Sequence, residues 1–314
     1  MSISDPCPLA RSSGAASTRP HRGPSSKAFI EGLHRGPSSR RLEVHADPSR
    51  IVLSSVLINH DSDDPQQDAC DFCDAVGTMK LHSISENIAA TKASVNAAAH
   101  AAGRDPTDIH LVAVSKNKPG AAIEAAYAVG LTDFGENYLQ EAVGKIQALA
   151  HLPLTWHFIG AIQSNKTRPI AEYFHWVHTV DRGKIARRLS EQCPQGKILD
   201  VCLQVNIDQD SAKAGVLPGD AATLLDEVAG LPNLRVRGLM TILESCGDPL
   251  PSYQRLAALF IDLAGRGKGP WDTLSMGMSK DYAQAIMAGA THVRIGTDIF
   301  GPRATASADE RIEE

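Results

Sequence analysis

The chain has 314 residues, 43% hydrophobic, 21% charged and 5% aromatic, with 31 basic residues against 36 acidic ones and a net charge of −5. That balance lacks the basic footprint of a general nucleic-acid binder, no stretch reaches the about 18 consecutive apolar residues of a membrane span, and six cysteines in so long a chain make no disulfide scaffold. The expected class is a soluble intracellular α/β protein of one or two domains, since α/β barrels run to about 250 residues as a single unit.

Residues 1–50 carry Lys27 and seven arginines against Asp5, Glu31, Glu43 and Asp47, are rich in Ser, Pro and Gly, and repeat the hexapeptide HRGPSS at His21 and His34. Residues 51–78 reverse the sign, with Asp61, Asp63, Asp64, Asp68, Asp71 and Asp74 and no Lys or Arg. Little apolar periodicity offsets the entropy of ordering this backbone, so 1–78 is predicted to be mostly disordered. Three origins stay open: a transit peptide, a regulatory tail, or translated sequence upstream of a start at Met79. Cys70 and Cys73 form a CxxC there. Two thiols are half a zinc site, and neither a second pair nor the strand-to-helix setting of a redox motif is near.

From residue 82 the pattern becomes regular. Residues 83–102 predict an Ala-rich helix with Ile84, Ile88, Val95 and Ala99 on one face. Short apolar runs then predict strands at 110–115, 133–135, 155–159, 176–180, 200–205, 235–240, 273–275 and 292–295. Helical patterns lie between them at 121–129, 141–150, 184–192, 221–229, 252–264 and 282–288, with Pro119, Pro218 and Pro251 near starts and Gly130, Gly230 and Gly265 near ends. Eight strand-helix pairs fit a (β/α)8 barrel over 79–304, with 305–314 as a tail. An open doubly wound sheet would need a Gly-rich loop after its first strand. Here that strand runs into Ser115-Lys116-Asn117-Lys118-Pro119, without glycine.

In a (β/α)8 barrel, chemistry sits at the C-terminal ends of the strands. Those ends hold Lys116, Glu136-Asn137, His157 followed by Gly160, Asn206, Met240-Thr241, Ser275 to Ser279, and Arg294 followed by Gly296-Thr297. Gly277 and Gly296 let backbone N–H groups approach an anion, and Ser275, Ser279 and Thr297 offer hydroxyls, at the two strands where barrels bind phosphate. Barrel closure sets Lys116 beside Arg294. A phosphate site, an amine and a second cation in one mouth suggest pyridoxal 5′-phosphate (PLP) held as a Schiff base, because a neighbouring cation depresses the amine's pKa and frees its lone pair. Plainer readings stand beside this one. A strand-end lysine often snorkels to solvent, and a lone histidine such as His157 is often a satisfied core residue.

The blocks Ala113-Val114-Ser115-Lys116, Phe134-Gly135-Glu136-Asn137-Tyr138, His157-Phe158-Ile159-Gly160, Gln163-Ser164-Asn165-Lys166, Ser275-Met276-Gly277-Met278-Ser279-Lys280-Asp281 and Val293-Arg294-Ile295-Gly296-Thr297 resemble, in order, the pyridoxal phosphate homeostasis family. That resemblance implies a barrel like the N-terminal domain of alanine racemase, with PLP on Lys116 and its ring nitrogen against Arg294. It implies a phosphate held by Ser275, Gly277, Gly296 and Thr297, a pocket lined by Asn137, His157 and Asn206, and Met240 near the ring. It further implies a cytoplasmic monomer that stores, buffers or delivers PLP, with apo PLP-dependent enzymes as recipients and no nucleic-acid or membrane partner. The alternative is a PLP-dependent racemase or decarboxylase. Such enzymes resemble each other in drawing a proton-transfer group from an added β-domain, whereas only 302–314 follow the eighth strand here. A guanidinium at the ring nitrogen also opposes its protonation and weakens the electron sink. No catalytic residue is therefore expected.

Overall fold

The computed structural model describes residues 65–243, 247–267 and 269–302, with side chains from residue 83 onward. Eight strands, β1 (His110–Val114), β2 (Asp133–Glu136), β3 (Thr155–Phe158), β4 (Trp176–Val180), β5 (Leu199–Gln204), β6 (Leu234–Met240), β7 (Thr273–Ser275) and β8 (His292–Ile295), close in chain order into a parallel barrel. The seam between β1 and β8 pairs His110 with His292 and Val112 with Arg294. Each strand lies within about a residue of its predicted position.

The helices are α1 (Pro65–Ala101), α2 (Gly120–Ala128), α3 (Leu139–Ala148), α4 (Thr167–Tyr173), α5 (Gly183–Gln192), α6 (Ala221–Ala229), α7 (Leu250–Asp262), α8 (Tyr282–Met287) and α9 (Thr297–Phe300). Two differences from the sequence reading have physical causes. Helix α1 starts at Pro65 rather than near residue 83, so residues 65–78 are helical in backbone. Proline suits a first helical turn, and the following Gln, Asp and Ala residues tolerate a helix that Gly77 only weakens. Residues 1–64 lie outside the described ones, as do the side chains of Cys70 and Cys73. The short helices α4 and α9 have too few turns for a readable period, and Pro169 in the first turn of α4 hides its helical character in the sequence.

Because α9 has only four residues, it cannot cover the β8–β1 seam alone. Helix α1 does so, packing against α2, α8 and α9. The apolar core is the sleeve between strands and helices: Ala113, Phe134, Phe158, Val201, Leu239 and Val293 face outward onto Ile123, Ile170, Leu189 and Leu225. Parallel strands covered on both faces are buried throughout, as β5 is at all six positions. Their other face points into the barrel, where Val112, Ile159, Cys202 and Met240 are apolar but His157, His178, His292, Ser275 and Arg294 are not. No helix among the described residues is long and apolar enough to cross a membrane.

Candidate functional site at the barrel mouth

A cavity of about 500 Å³ opens at the C-terminal ends of the strands. Its wall comes from Val114 at the end of β1 and Lys116 after it, Asn137 after β2, Ile159 after β3 and Ile242 after β6. Met278 to Asp281 follow β7, and Arg294, Gly296 and Thr297 complete it from β8. Among the charged lining residues Lys116, Lys280 and Arg294 face one carboxylate, Asp281. An anionic ligand suits that balance.

Lys116 owes its place to its neighbours. The Ser115 carbonyl accepts from Lys145 Nζ at 2.7 Å, and the Ser115 hydroxyl donates to Glu136 Oε1 at 2.6 Å. Asn117, in the left-handed region at φ 58°, donates its backbone N–H to Glu141 Oε1 at 2.6 Å. Lys145 closes this buried cluster by donating to Glu136 Oε1 at 2.8 Å and Glu141 Oε1 at 2.6 Å. Burial raises the Glu136 carboxyl above its usual range, against the opposing pull of Lys145 and Ser115. Both residues flanking Lys116 are thus fixed.

Arg294 is buried, 4% exposed, with its guanidinium at the cavity floor. Nη1 donates to Ser275 Oγ at 2.7 Å and Nη2 to the Thr241 carbonyl at 2.8 Å. Among the described residues no carboxylate pairs with it, and burial lowers its pKa from the usual arginine value. The remaining N–H groups of its five are available to the cavity.

The turn after β7 is built by Asp281, which accepts the Met278 N–H at 2.6 Å, and by Gly277 at φ 93°. A Cβ on Gly277 would stand 2.6 Å from Ala285 Cβ, so glycine is needed there for space as well as for conformation. The turn after β8 passes through Gly296 into α9, whose first N–H groups have no carbonyl one turn earlier to bond. Gly160 serves the same mouth, since a Cβ there would lie 2.0 Å from the Asn137 carbonyl oxygen. Backbone that close brings Asn137 to the wall. Its Oδ1 is buried and has no hydrogen-bond partner among the described residues.

Comparison with known proteins shows the family to which the chain belongs. The family model for the alanine racemase N-terminal domain matches residues 84–304. The pyridoxal phosphate homeostasis protein of Pseudomonas aeruginosa is 56% identical over 227 residues, covering 71% of this chain and 97% of that protein. The Escherichia coli K12 protein of the same name is 44% identical over 229 residues, covering 71% and 98%. The chain belongs to the pyridoxal phosphate homeostasis protein family. Among solved structures, PipY of Synechococcus elongatus with PLP bound has a TM-score of 0.62 and 37% identity, covering 69% of this chain and all of that one.

Of the positions that the family resemblance singled out, the barrel brings Lys116, Asn137, Arg294, Gly296 and Thr297 to one cavity. Ser275 lies beneath it, fully buried, with its hydroxyl already between Arg294 and His178 Nδ1, the latter at 2.7 Å. Gly277 is also beneath, its carbonyl accepting the Arg294 backbone N–H at 3.0 Å. His157 is 1% exposed inside the barrel, bonded to His178 and Asp133. Asn206 shapes a loop, donating from Nδ2 to the Asp210 carbonyl at 2.7 Å, and Met240 is fully buried at the end of β6. Sequence reasoning missed Ile242, Lys280, Asp281 and the Lys145–Glu136–Glu141 cluster. Lys280 and Asp281 lie within one of the family-like blocks, whereas nothing in the sequence marks out Lys145 within its helical pattern.

Proposed function

We propose that this chain binds PLP at the barrel mouth and acts inside the cell as a store, buffer or donor of the cofactor. The observation that carries the reading is the convergence of Lys116, the buried Arg294 and the Gly296-Thr297 turn on one cavity of about 500 Å³, a size within the usual small-molecule range. Family membership and the PLP-bound PipY relative support it. The residues present fit the group. An excess of cations suits a phosphate, and the buried Asn137 Oδ1, without a partner among the described residues, needs a polar neighbour.

PLP would supply an aldehyde, and Lys116 would be the amine that holds it covalently, with loss of water. The rest is the work of the chain's own side chains. Arg294, a permanent donor, would hold an unprotonated ring nitrogen and raise the cost of a proton there. Gly296 and Thr297 would hold the phosphate through N–H and hydroxyl groups. The open mouth admits water and competing amines to Lys116, as release to apo PLP-dependent enzymes requires.

The purified protein is expected to carry a visible absorption band that borohydride abolishes while fixing the cofactor to Lys116. Lys116→Ala is expected to lose the band, and a variant that kept it would overturn the assignment. Incubation of the loaded protein with L-amino acids, followed by chiral analysis, tests the carrier reading. Many turnovers at enzyme-like rates would refute it.

A further inference from the structure

An unbroken row of side-chain hydrogen bonds leads from the floor of the cavity to the opposite end of the barrel. Arg294 Nη1 meets Ser275 Oγ at 2.7 Å, Ser275 Oγ meets His178 Nδ1 at 2.7 Å, His178 Nε2 meets His157 Nδ1 at 3.0 Å, and His157 Nε2 meets Asp133 Oδ1 at 3.1 Å. Arg294, Ser275, His178 and His157 are at most 4% exposed. Asp133, the first residue of β2, reaches solvent with 35% of its side chain exposed. It lines a second cavity of about 280 Å³ with His110, Thr132 and Lys92.

The two ends dictate what happens between them. An arginine can only donate and an ionised carboxylate can only accept. Although burial raises the Asp133 carboxyl, hydrogen bonds from His157 and Thr132 outweigh it and hold the group below its usual value, so it is ionised near neutrality. Asp133 therefore takes the Nε2–H of His157, leaving His157 Nδ1 as an acceptor. His178 must supply Nε2–H to it and keeps a lone pair at Nδ1. Ser275 donates its hydroxyl hydrogen to that lone pair and accepts from Arg294. Each link then has one donor and one acceptor, with both histidines neutral and in the same tautomer. Burial works the same way, lowering both histidines from the usual value. A proton added to His178 would place a second cation one hydroxyl away from Arg294.

We infer that Asp133, His157, His178 and Ser275 are positioning residues that orient the Arg294 guanidinium from the far end of the barrel. The inference rests on the PLP reading only for its consequence at the cofactor; the row itself is a property of the chain. Neutral relay groups suit the task. They hold Arg294 by directed bonds without placing an anion beside it, so its charge stays directed at the cavity. The nearest charge at the other end of the row, Asp133, is separated from it by three side chains.

The test begins with the ligand-free protein. Nitrogen-15 NMR is expected to find His157 and His178 neutral with the proton on Nε2 at pH 7, and distinct, slowly exchanging Arg294 side-chain N–H signals. An imidazolium or an Nδ1–H form at either histidine would overturn the inference. Asp133→Ala leaves the His157 N–H without its acceptor. It is expected to mix the histidine tautomers, average the Arg294 signals and weaken PLP binding about tenfold. Asp133→Asn keeps a carbonyl acceptor and is expected to rescue the NMR pattern and most of the affinity. An Asp133→Ala protein with wild-type tautomers and Arg294 signals would sink the proposal. If the wild-type protein bound no PLP, the proposed function would fail, and the ligand-free spectra would still decide whether the row orients Arg294.

Discussion

Two faces of the same eight strands lead different lives. Outward, toward the helices, Phe134, Phe158, Leu239 and Val293 meet Ile170, Leu189 and Leu225 in a dry sleeve where only volume and hydrophobicity matter. Inward, alternate residues of those strands place His157, His178, His292, Ser275 and Arg294, all buried, in contacts with fixed donors and acceptors. The sleeve stabilises the barrel by non-directional burial. The interior adds less to stability, because each polar group gives up water to gain one bond, but it sets where Arg294 points. The difference teaches that fold and site are specified by opposite faces of one sheet, and that each can be perturbed separately.

Acid should separate them most strongly. Burial, reinforced by nearby His110 and His157, pushes His292 down to about 3, and burial also lowers His157 and His178. The unfolded chain therefore binds more protons than the folded one below the ordinary histidine value of 6.5. Stability is expected to be full above about pH 6.5 and to fall as the pH drops toward 3, on the order of 4 kcal/mol from His292 alone. Glu136, raised by burial, acts in the opposite sense. Denaturant titrations from pH 7 to 4 measure the slope, which His292→Asn should flatten. A pH-independent midpoint would mean that the interior histidines are not held neutral.

In the sleeve, Leu225→Ala on α6 removes a fully buried side chain. It should cost about 2–5 kcal/mol of unfolding free energy, while PLP affinity of the folded protein stays at the wild-type level. A loss of affinity comparable to that of an interior variant would erase the distinction between the faces. Gly277→Ala sits where the two meet. Its φ of 93° and the 2.6 Å approach to Ala285 Cβ predict a loss of about 1–3 kcal/mol, together with weaker PLP retention as the turn shifts. Thermal melts and cofactor titration on one preparation check both. Outside either region, Arg187 and Glu227 form an exposed pair. Arg187→Ala should change stability by less than about 1 kcal/mol and binding not at all, which calibrates the other three.

Much of the fold was legible because it rests on local signals. Short apolar runs separated by amphipathic stretches placed all eight strands, and Pro119 and Gly130 bounded α2. What escaped had no local signal: the four residues of α9, the seven of α4 with Pro169 in its first turn, and the start of α1 at Pro65. At the site, Lys116, Arg294, Gly296 and Thr297 were recognisable as strand-end polar residues. Ser275 looked like a free hydroxyl and proves to be bonded on both sides. His157, which on its own reads as a satisfied core histidine, is buried in the middle of a row that no spacing reveals, since Asp133, His157, His178, Ser275 and Arg294 come from five different strands.

The charge arithmetic of 314 residues, and the sharp change in pattern near residue 82, therefore determined the class of the protein, the barrel and the end of it that carries chemistry. Period and punctuation are properties of neighbouring residues, and a chain displays them before it folds. Only the closed barrel decided which residues share a cavity, which face each other across its interior, and which proton each histidine carries. Hydrogen-bond direction depends on partners brought together from distant strands, here by the seam that sets Val112 beside Arg294.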